Sequence, residues 1–214
     1  MELYHPQLVS YLESLLPARH PVLQEMERRA AETRFPIVGP LVGQLFYLLT
    51  RLTGARRVFE LGSGYGYSTA WFALGVRENG GGEVYHVVWD ESLSRDARDY
   101  LNRMGLADLV RFEVSEAVAC LQRTEGPFDI IFNDIDKEMY PASLEAIKPK
   151  LRSGGLLLVD NAFRGGTVFD PAEQSAGTEG VRTLTRMLFE EPDFLCSIVP
   201  LRDGVLMAYR RQAF

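Results

Sequence analysis

Residues 58–72 read VFELGSGYGYSTAWF. An apolar run carries Glu60 near its end, glycines follow at 62, 64 and 66, and Ser68 and Thr69 open a second apolar run of helical character. Glycines in a strand-to-helix turn let the backbone approach a ligand closely. Two common ligands fit poorly. A dinucleotide fingerprint needs G-x-G-x-x-G, and Tyr67 stands where its third glycine belongs; a phosphate loop needs a Gly-Lys-Ser/Thr ending, and none is present. An acidic residue at the strand end is poorly placed for a phosphate and well placed for a cation. Two later apolar runs also end in acidic residues: FDIIFND at Asp134, with Lys137 three positions on, and GGLLLVDN at the pair Asp160–Asn161.

These residues need elements that bring them together. Residues 1–55 are helical in pattern: Leu8, Tyr11, Leu12 and Leu15 keep helical spacing, as do Leu41, Leu45 and Leu48, with Pro36 and Pro40 between the two sets. From residue 56 strands and helices alternate. RRVFEL, EVYHVVW (83–89), LVRFEV (109–114), FDIIFND (128–134) and GGLLLVDN (154–161) read as buried strands. Helices are expected over 68–76, over SLSRDARDYLNRMG with Gly105 as its C-terminal cap, through Tyr140, Leu144, Ile147 and Leu151, and through Val181, Leu184 and Leu188. Strands near 194–199 and 204–210 are joined by the short LRDG, which permits only an antiparallel pair. The pattern predicts an open α/β sheet, mostly parallel, with helices on both faces and one reversed strand. A helical extension over 1–55 would precede a ligand-binding domain over 56–214. In such sheets ligands bind beyond the carboxyl ends of the strands, where the glycine turn lies.

Composition narrows the function classes. The chain has 214 residues, 46% hydrophobic and 24% charged, enough for one sizeable core. Its net charge of −6 argues against a general nucleic-acid binder. Arg28, Arg29 and Arg34, and Arg51, Arg56 and Arg57, read as solvated helix faces rather than a basic patch. Cys120 and Cys196 share no motif spacing and read as buried thiols of a reducing compartment. The N-terminus is acidic and amphipathic, unlike a signal peptide, and no apolar run approaches the length of a membrane span. A cytoplasmic protein with no membrane partner is expected.

VFELGSGYGYSTAWF, together with GPFDIIFNDIDKEMYP and LRSGGLLLVDNAFRGG, resembles the class I S-adenosylmethionine-dependent methyltransferases, and within them the small metal-dependent O-methyltransferases of catechol and caffeoyl-coenzyme A type. The resemblance runs from about residue 36 to the C-terminus. It implies a Rossmann-like seven-stranded sheet with its last strand antiparallel, and a homodimer to which the N-terminal helices could contribute. It further implies that Glu60, Gly62, Ser63, Gly64, Gly66 and Ser68 line the methionine end of S-adenosyl-L-methionine, with Asp134 close by. Ser115 and Glu116 would lie near the adenine. Asp134, Asp160 and Asn161 would hold Mg2+, with Mn2+ or Ca2+ as alternatives, and Lys137 would be the general base. Three hard oxygen ligands at neighbouring strand ends suit such an ion. Either aspartate alone could equally cap a helix; the pair with Asn161 and Lys137 favours a site.

The family pattern is broken at the second strand. Val88 stands where an acidic residue usually grips the ribose hydroxyls. Asp90 has the same strand parity and is the first substitute, with Glu91 the second. Asn133 replaces a usual apolar residue, and Arg164 stands where the family often has Trp. His86 reads as packed or edge-exposed, His5 and His20 show no ligand spacing, and Trp71 reads as core. Trp89, at a strand end, suits core and adenine-stacking roles equally. The expected substrate is a hydroxylated, catechol-like small molecule. A hydroxyuridine of tRNA, or cofactor binding with lost or regulatory activity, are the alternatives.

Overall fold

The computed structural model describes residues 7–212; His5 lies outside them. The short buried apolar runs become strands, and the segments with helical spacing become helices except at Leu151. Three helices, α1 (Leu8–Ser14), α2 (Pro21–Thr33) and α3 (Gly39–Leu52), precede the sheet. The alternating part then runs β1 (Arg57–Leu61), α4 (Tyr67–Glu78), β2 (Glu83–Val88), α5 (Glu91–Arg103), β3 (Val110–Val114), α6 (Ala117–Arg123), β4 (Phe128–Asn133), α7 (Tyr140–Lys150), β5 (Leu151–Val159), α8 (Ala176–Glu190), β6 (Phe194–Val199) and β7 (Val205–Arg210). The strand order is β3-β2-β1-β4-β5-β7-β6, and β7 is antiparallel to both of its neighbours. The doubly wound sheet and its reversed last strand are as the alternation implied.

Helices α2 and α3 share an apolar cluster with α4 and one face of the sheet. Phe46 of α3 stacks on Phe72 at 4.9 Å and meets Phe132 of β4 edge-on at 4.7 Å. Such aromatic contacts add about 0.5–1.5 kcal/mol each to plain burial. Gly43 lets the two helices close: a Cβ there would lie 2.2 Å from the indole nitrogen of Trp71, which is core as expected. The opposite face is covered by α6, α7 and α8 through Leu121, Leu144, Ile147 and Leu184. No helix among the described residues is long and apolar enough to cross a membrane.

Two local expectations are corrected. Leu151 continues the helical spacing of Tyr140, Leu144 and Ile147, yet it is the first residue of β5, so that strand begins three residues before the expected Gly154. Pro149 lies in the last turn of α7, and Leu151 is already extended (φ −88°, ψ 131°); proline disfavours helical backbone at the residue before it and offers no N–H. The seven-residue α6 was not expected. It is too short for a periodic signal, and its start is set by Glu116, whose two carboxylate oxygens accept from Val118 N at 2.8 Å and Ala119 N at 2.6 Å.

Candidate active site

β1 lies between β2 and β4, so the chain order reverses at β1/β4, and a cavity of about 880 Å3 opens at the carboxyl ends of these strands. Gly62, Ser63, Gly64, Ser68, Ser115, Glu116, Asp134, Lys137, Asp160 and Asn161 all line it. Glu60, Gly66 and Asp90 do not. Glu60 is fully buried beneath the turn. Gly66 begins α4 at φ 87°, and a Cβ there would lie 2.9 Å from Cβ of Ala97, so its visible constraint is packing against α5. Asp90 is exposed and caps α5: its Oδ1 accepts from Ser92 N at 2.7 Å and Leu93 N at 3.3 Å. Glu91 is likewise outside the cavity lining, whereas Val88 and Trp89 belong to it. Trp89 is 76% exposed, which removes the core reading of that ring.

The glycine turn is anchored before it meets any ligand. Ser63 N donates to Val87 O at 3.0 Å, and Val87 N donates to Ser63 Oγ at 2.9 Å, tying the turn to β2. Gly62 passes over the end of β4. Its φ is +86°, and a Cβ would lie 2.5 Å from the carbonyl oxygen of Asp134. Both features exclude a side chain, and the obstructing atom is backbone. Gly62→Ala is expected to cost about 2–5 kcal/mol, the sum of a left-handed backbone penalty and overpacking. Gly64→Ala should cost less, because its nearest obstacle, at 3.1 Å, is the movable ring of Phe35. Denaturant midpoints of the two variants check this; equal losses would reject the asymmetry.

At the neighbouring strand ends, Asp134 N donates to Leu61 O at 2.9 Å and Asp160 N to Asn133 O at 3.2 Å, extending the ladder to both acids. The buried hydroxyl of Tyr140 reaches Asp160 O at 3.1 Å and Asn133 O at 3.3 Å, joining the two strand ends. Lys137 Nζ lies 4.9 Å from the centre of the Tyr140 ring and donates to Asp134 Oδ1 at 2.6 Å and Ile135 O at 3.1 Å. Burial pushes the Asp134 carboxyl upward against the pull of Lys137. Burial, and then the charge of Asp134, push Asp160 up to about 7. Asn161 Nδ2 donates to Asp203 Oδ2 at 2.9 Å, which leaves its carbonyl Oδ1 as the available acceptor.

This donor set fits a divalent cation. Two half-buried carboxylates, the charge of Asp134 raising the proton affinity of Asp160, with a hard amide oxygen beside them, would be relieved by a doubly charged ion. Among the described residues no three His, Cys, Asp or Glu side chains converge, so the third protein donor would be the Asn161 amide.

Several contacts were not visible in the sequence. Asp203 lies in the LRDG turn, which signals only a hairpin. Arg202 beside it lines the cavity and donates from Nη1 to Ile37 O at 2.8 Å. Glu60 accepts from the Thr69 hydroxyl, whose oxygen is 3.1 Å from Nδ1 of the fully buried His86. Burial pushes His86 down to about 3 and Glu60 up to about 7, the hydroxyls of Ser68, Thr69 and Ser63 opposing the latter. With cofactor and metal absent, the folded protein therefore holds a proton on Glu60 between the ordinary 4.5 and about 7, which the unfolded chain has lost. Stability from this group is present below that window and falls as pH rises through it, by roughly 3 kcal/mol at most. Glu60→Gln, which mimics the protonated form, should flatten the decline in unfolding free energy between pH 5 and pH 8. A variant as pH-dependent as the parent would contradict this.

Comparison with known proteins decides the family. The O-methyltransferase family model matches residues 13–211. This chain belongs to the O-methyltransferase family. The catechol O-methyltransferase of Mycobacterium tuberculosis is 32% identical over 190 residues, covering 87% of this chain and 85% of the relative. The crystal structure of the O-methyltransferase TomG from Streptomyces achromogenes, in complex with S-adenosylmethionine, is 30% identical with a TM-score of 0.85, covering 95% of each chain. That of an O-methyltransferase from Bacillus cereus with S-adenosylhomocysteine is 29% identical with a TM-score of 0.85, covering 94% of this chain and 96% of the other. As a member of this family the protein is an enzyme that transfers methyl groups to oxygen.

Proposed function

We propose that this S-adenosylmethionine-dependent O-methyltransferase methylates one hydroxyl of a catechol-like small molecule, with Asp134, Asp160 and Asn161 holding a divalent cation. Magnesium is the expected ion, manganese or calcium the alternatives. One observation carries the reading: the two strand-end acids, Asn161 and Lys137 share a cavity with the glycine turn. When bound, such an ion fixes two adjacent oxygens and lowers their pKa values.

The remaining work falls to the chain's own side chains. Gly62, Ser63, Gly64 and Ser68 would hold the methionine end of the cofactor. Ser115 and Glu116 would flank the adenine. The exposed ring of Trp89, at the cavity edge, offers it a stacking surface. Val88 offers the ribose no carboxylate, so backbone groups and Ser115 would have to meet it. Lys137 Nζ would take the hydroxyl proton as the oxygen attacks the methyl group, and orientation by the cavity walls would supply much of the rate. A homodimer remains part of the proposal, with the exposed Val9, Tyr11 and Leu15 as the apolar surface on and just after α1 that a second copy would cover. The test is direct: enzyme, S-adenosylmethionine, magnesium and catechol should yield methylated catechol and S-adenosylhomocysteine by mass spectrometry. No methylated product from catechol or its ring-substituted derivatives would overturn the substrate assignment.

A further inference from the structure

The wall of the cavity beyond Asn161 is built from two short turns, each carrying an exposed arginine. Among the described residues four non-glycine residues have positive φ: Arg34, Asn161, Arg164 and Arg202. The last three line this cavity, at φ 55°, 49° and 52°. Side chains disfavour that backbone region, by about 1–2 kcal/mol per residue, and such strain concentrates at ligand sites. The two turns are fastened together. Ala162 N donates to Gly204 O at 3.0 Å, Phe163 N to Asp203 O at 2.9 Å, Gly165 N to Asp203 Oδ1 at 2.7 Å, and Asn161 Nδ2 to Asp203 Oδ2 at 2.9 Å. Both oxygens of Asp203, which follows Arg202 in the chain, are thus engaged by N–H donors.

Each guanidinium also lies over a glycine. A Cβ at Gly177 would stand 2.8 Å from an Arg164 Nη, and one at Gly39 would stand 2.1 Å from an Arg202 Nη. Either glycine replaced by a larger residue would displace the guanidinium above it. Arg202 uses one nitrogen on Ile37 O. The Arg164 guanidinium has no hydrogen bond or ion pair among the described residues; its charge reaches Glu173, whose carboxylate is engaged by Ser175. An arginine with no protein partner for its donors, held in a strained turn at a cavity wall, is free to form a charge-assisted pair with an anion.

Resting on the reading of a diol acceptor, we propose that Arg164 and Arg202 bind a carboxylate carried by that acceptor, so that the enzyme prefers a vicinal diol on an aromatic acid over a neutral catechol. The aromatic acid would present its two hydroxyls to Asp134, Asp160 and Lys137 and its carboxylate to the arginine-bearing turns.

The test compares 3,4-dihydroxybenzoate with catechol, by calorimetry on the protein saturated with S-adenosylhomocysteine and magnesium, and by methyl-transfer kcat/KM. The acid should bind at least about tenfold more tightly, as expected for a charge-assisted pair. Arg164→Gly removes the guanidinium at a φ that glycine accepts readily, so the fold should survive, and it should cut the preference to about threefold or less. Arg202→Gly should act in the same direction, and Arg164→Lys should restore part of the preference. Equal binding of the two diols to the parent protein, or a preference unchanged in both glycine variants, overturns the proposal. Tighter binding of the acid with no methylation of either diol upholds the arginine site and rejects the diol reading instead. Methylation of both with equal affinity does the reverse.

Discussion

Replacing Asp134 and Asp160 together by alanine should lower methyl transfer to a catechol by about 10³-fold or more, while S-adenosylhomocysteine still binds. The expected size is that of removing a several-kcal/mol stabilisation of developing charge. Both acids are held by their own backbone amides, Asp134 N on Leu61 O and Asp160 N on Asn133 O, so alanine keeps the strand ends in place. What alanine removes is the pair of half-buried acids at the strand ends, where burial, and then the charge of Asp134, push Asp160 up to about 7. Chelation of the parent enzyme should copy the double variant, and added magnesium should restore the parent alone. Cofactor-product affinity by calorimetry separates this outcome from misfolding. Full activity in excess chelator, or in the double variant, would leave the fold and the glycine turn as the only parts of the site still supported.

Much of this arrangement was legible because it obeys local rules. Asp160–Asn161 follows the unbroken apolar run LLLV, Asp134 follows IIF with only Asn133 between, and parallel strands that neighbour each other must bring their carboxyl ends to one edge. Gly62 was legible for a related reason, since a tight strand-to-helix turn needs positive φ. The failures arise where a local rule is carried past its element. Asp90 was placed toward the ribose by strand parity, but β2 ends at Val88, and two residues later the chain is already turning into α5, so the carboxylate caps a helix. Leu151 keeps the helical spacing, but α7 ends at Lys150, one residue after Pro149, and Leu151 is already extended. Other misses are long-range. Asp203 meets Asn161 across 42 residues, and Tyr140 meets Asp160 across 20. Tyr140 showed only as one more apolar position of α7. No local pattern marks a hydroxyl that reaches two carbonyls on different strands.

Lys137→Met should reduce kcat by about 10²–10⁴-fold, the usual contribution of a positioned acid–base group, with little change in affinity for S-adenosylhomocysteine. Methionine keeps most of the length and the packing of the stem. It removes the nitrogen that the structure holds against Asp134 Oδ1 at 2.6 Å, Ile135 O at 3.1 Å and the Tyr140 ring. A lysine serving only as a structural counter-charge would show its loss in stability and in metal affinity, not in the proton-transfer step. The pH profile separates the two roles. With no amine to receive the proton, the variant must wait for the substrate hydroxyl to ionise on its own, which a phenol does near 10 in water and lower beside a bound cation. The deficit relative to the parent should therefore shrink by up to about tenfold for each unit of rising pH below that value. Lys137→Arg keeps the positive charge but offers a guanidinium that does not accept protons, so it should remain as slow as the methionine variant. A Lys137→Arg enzyme close to parental rates, or a methionine variant whose deficit is the same at every pH, would assign Lys137 to holding Asp134 and would leave proton removal to another group.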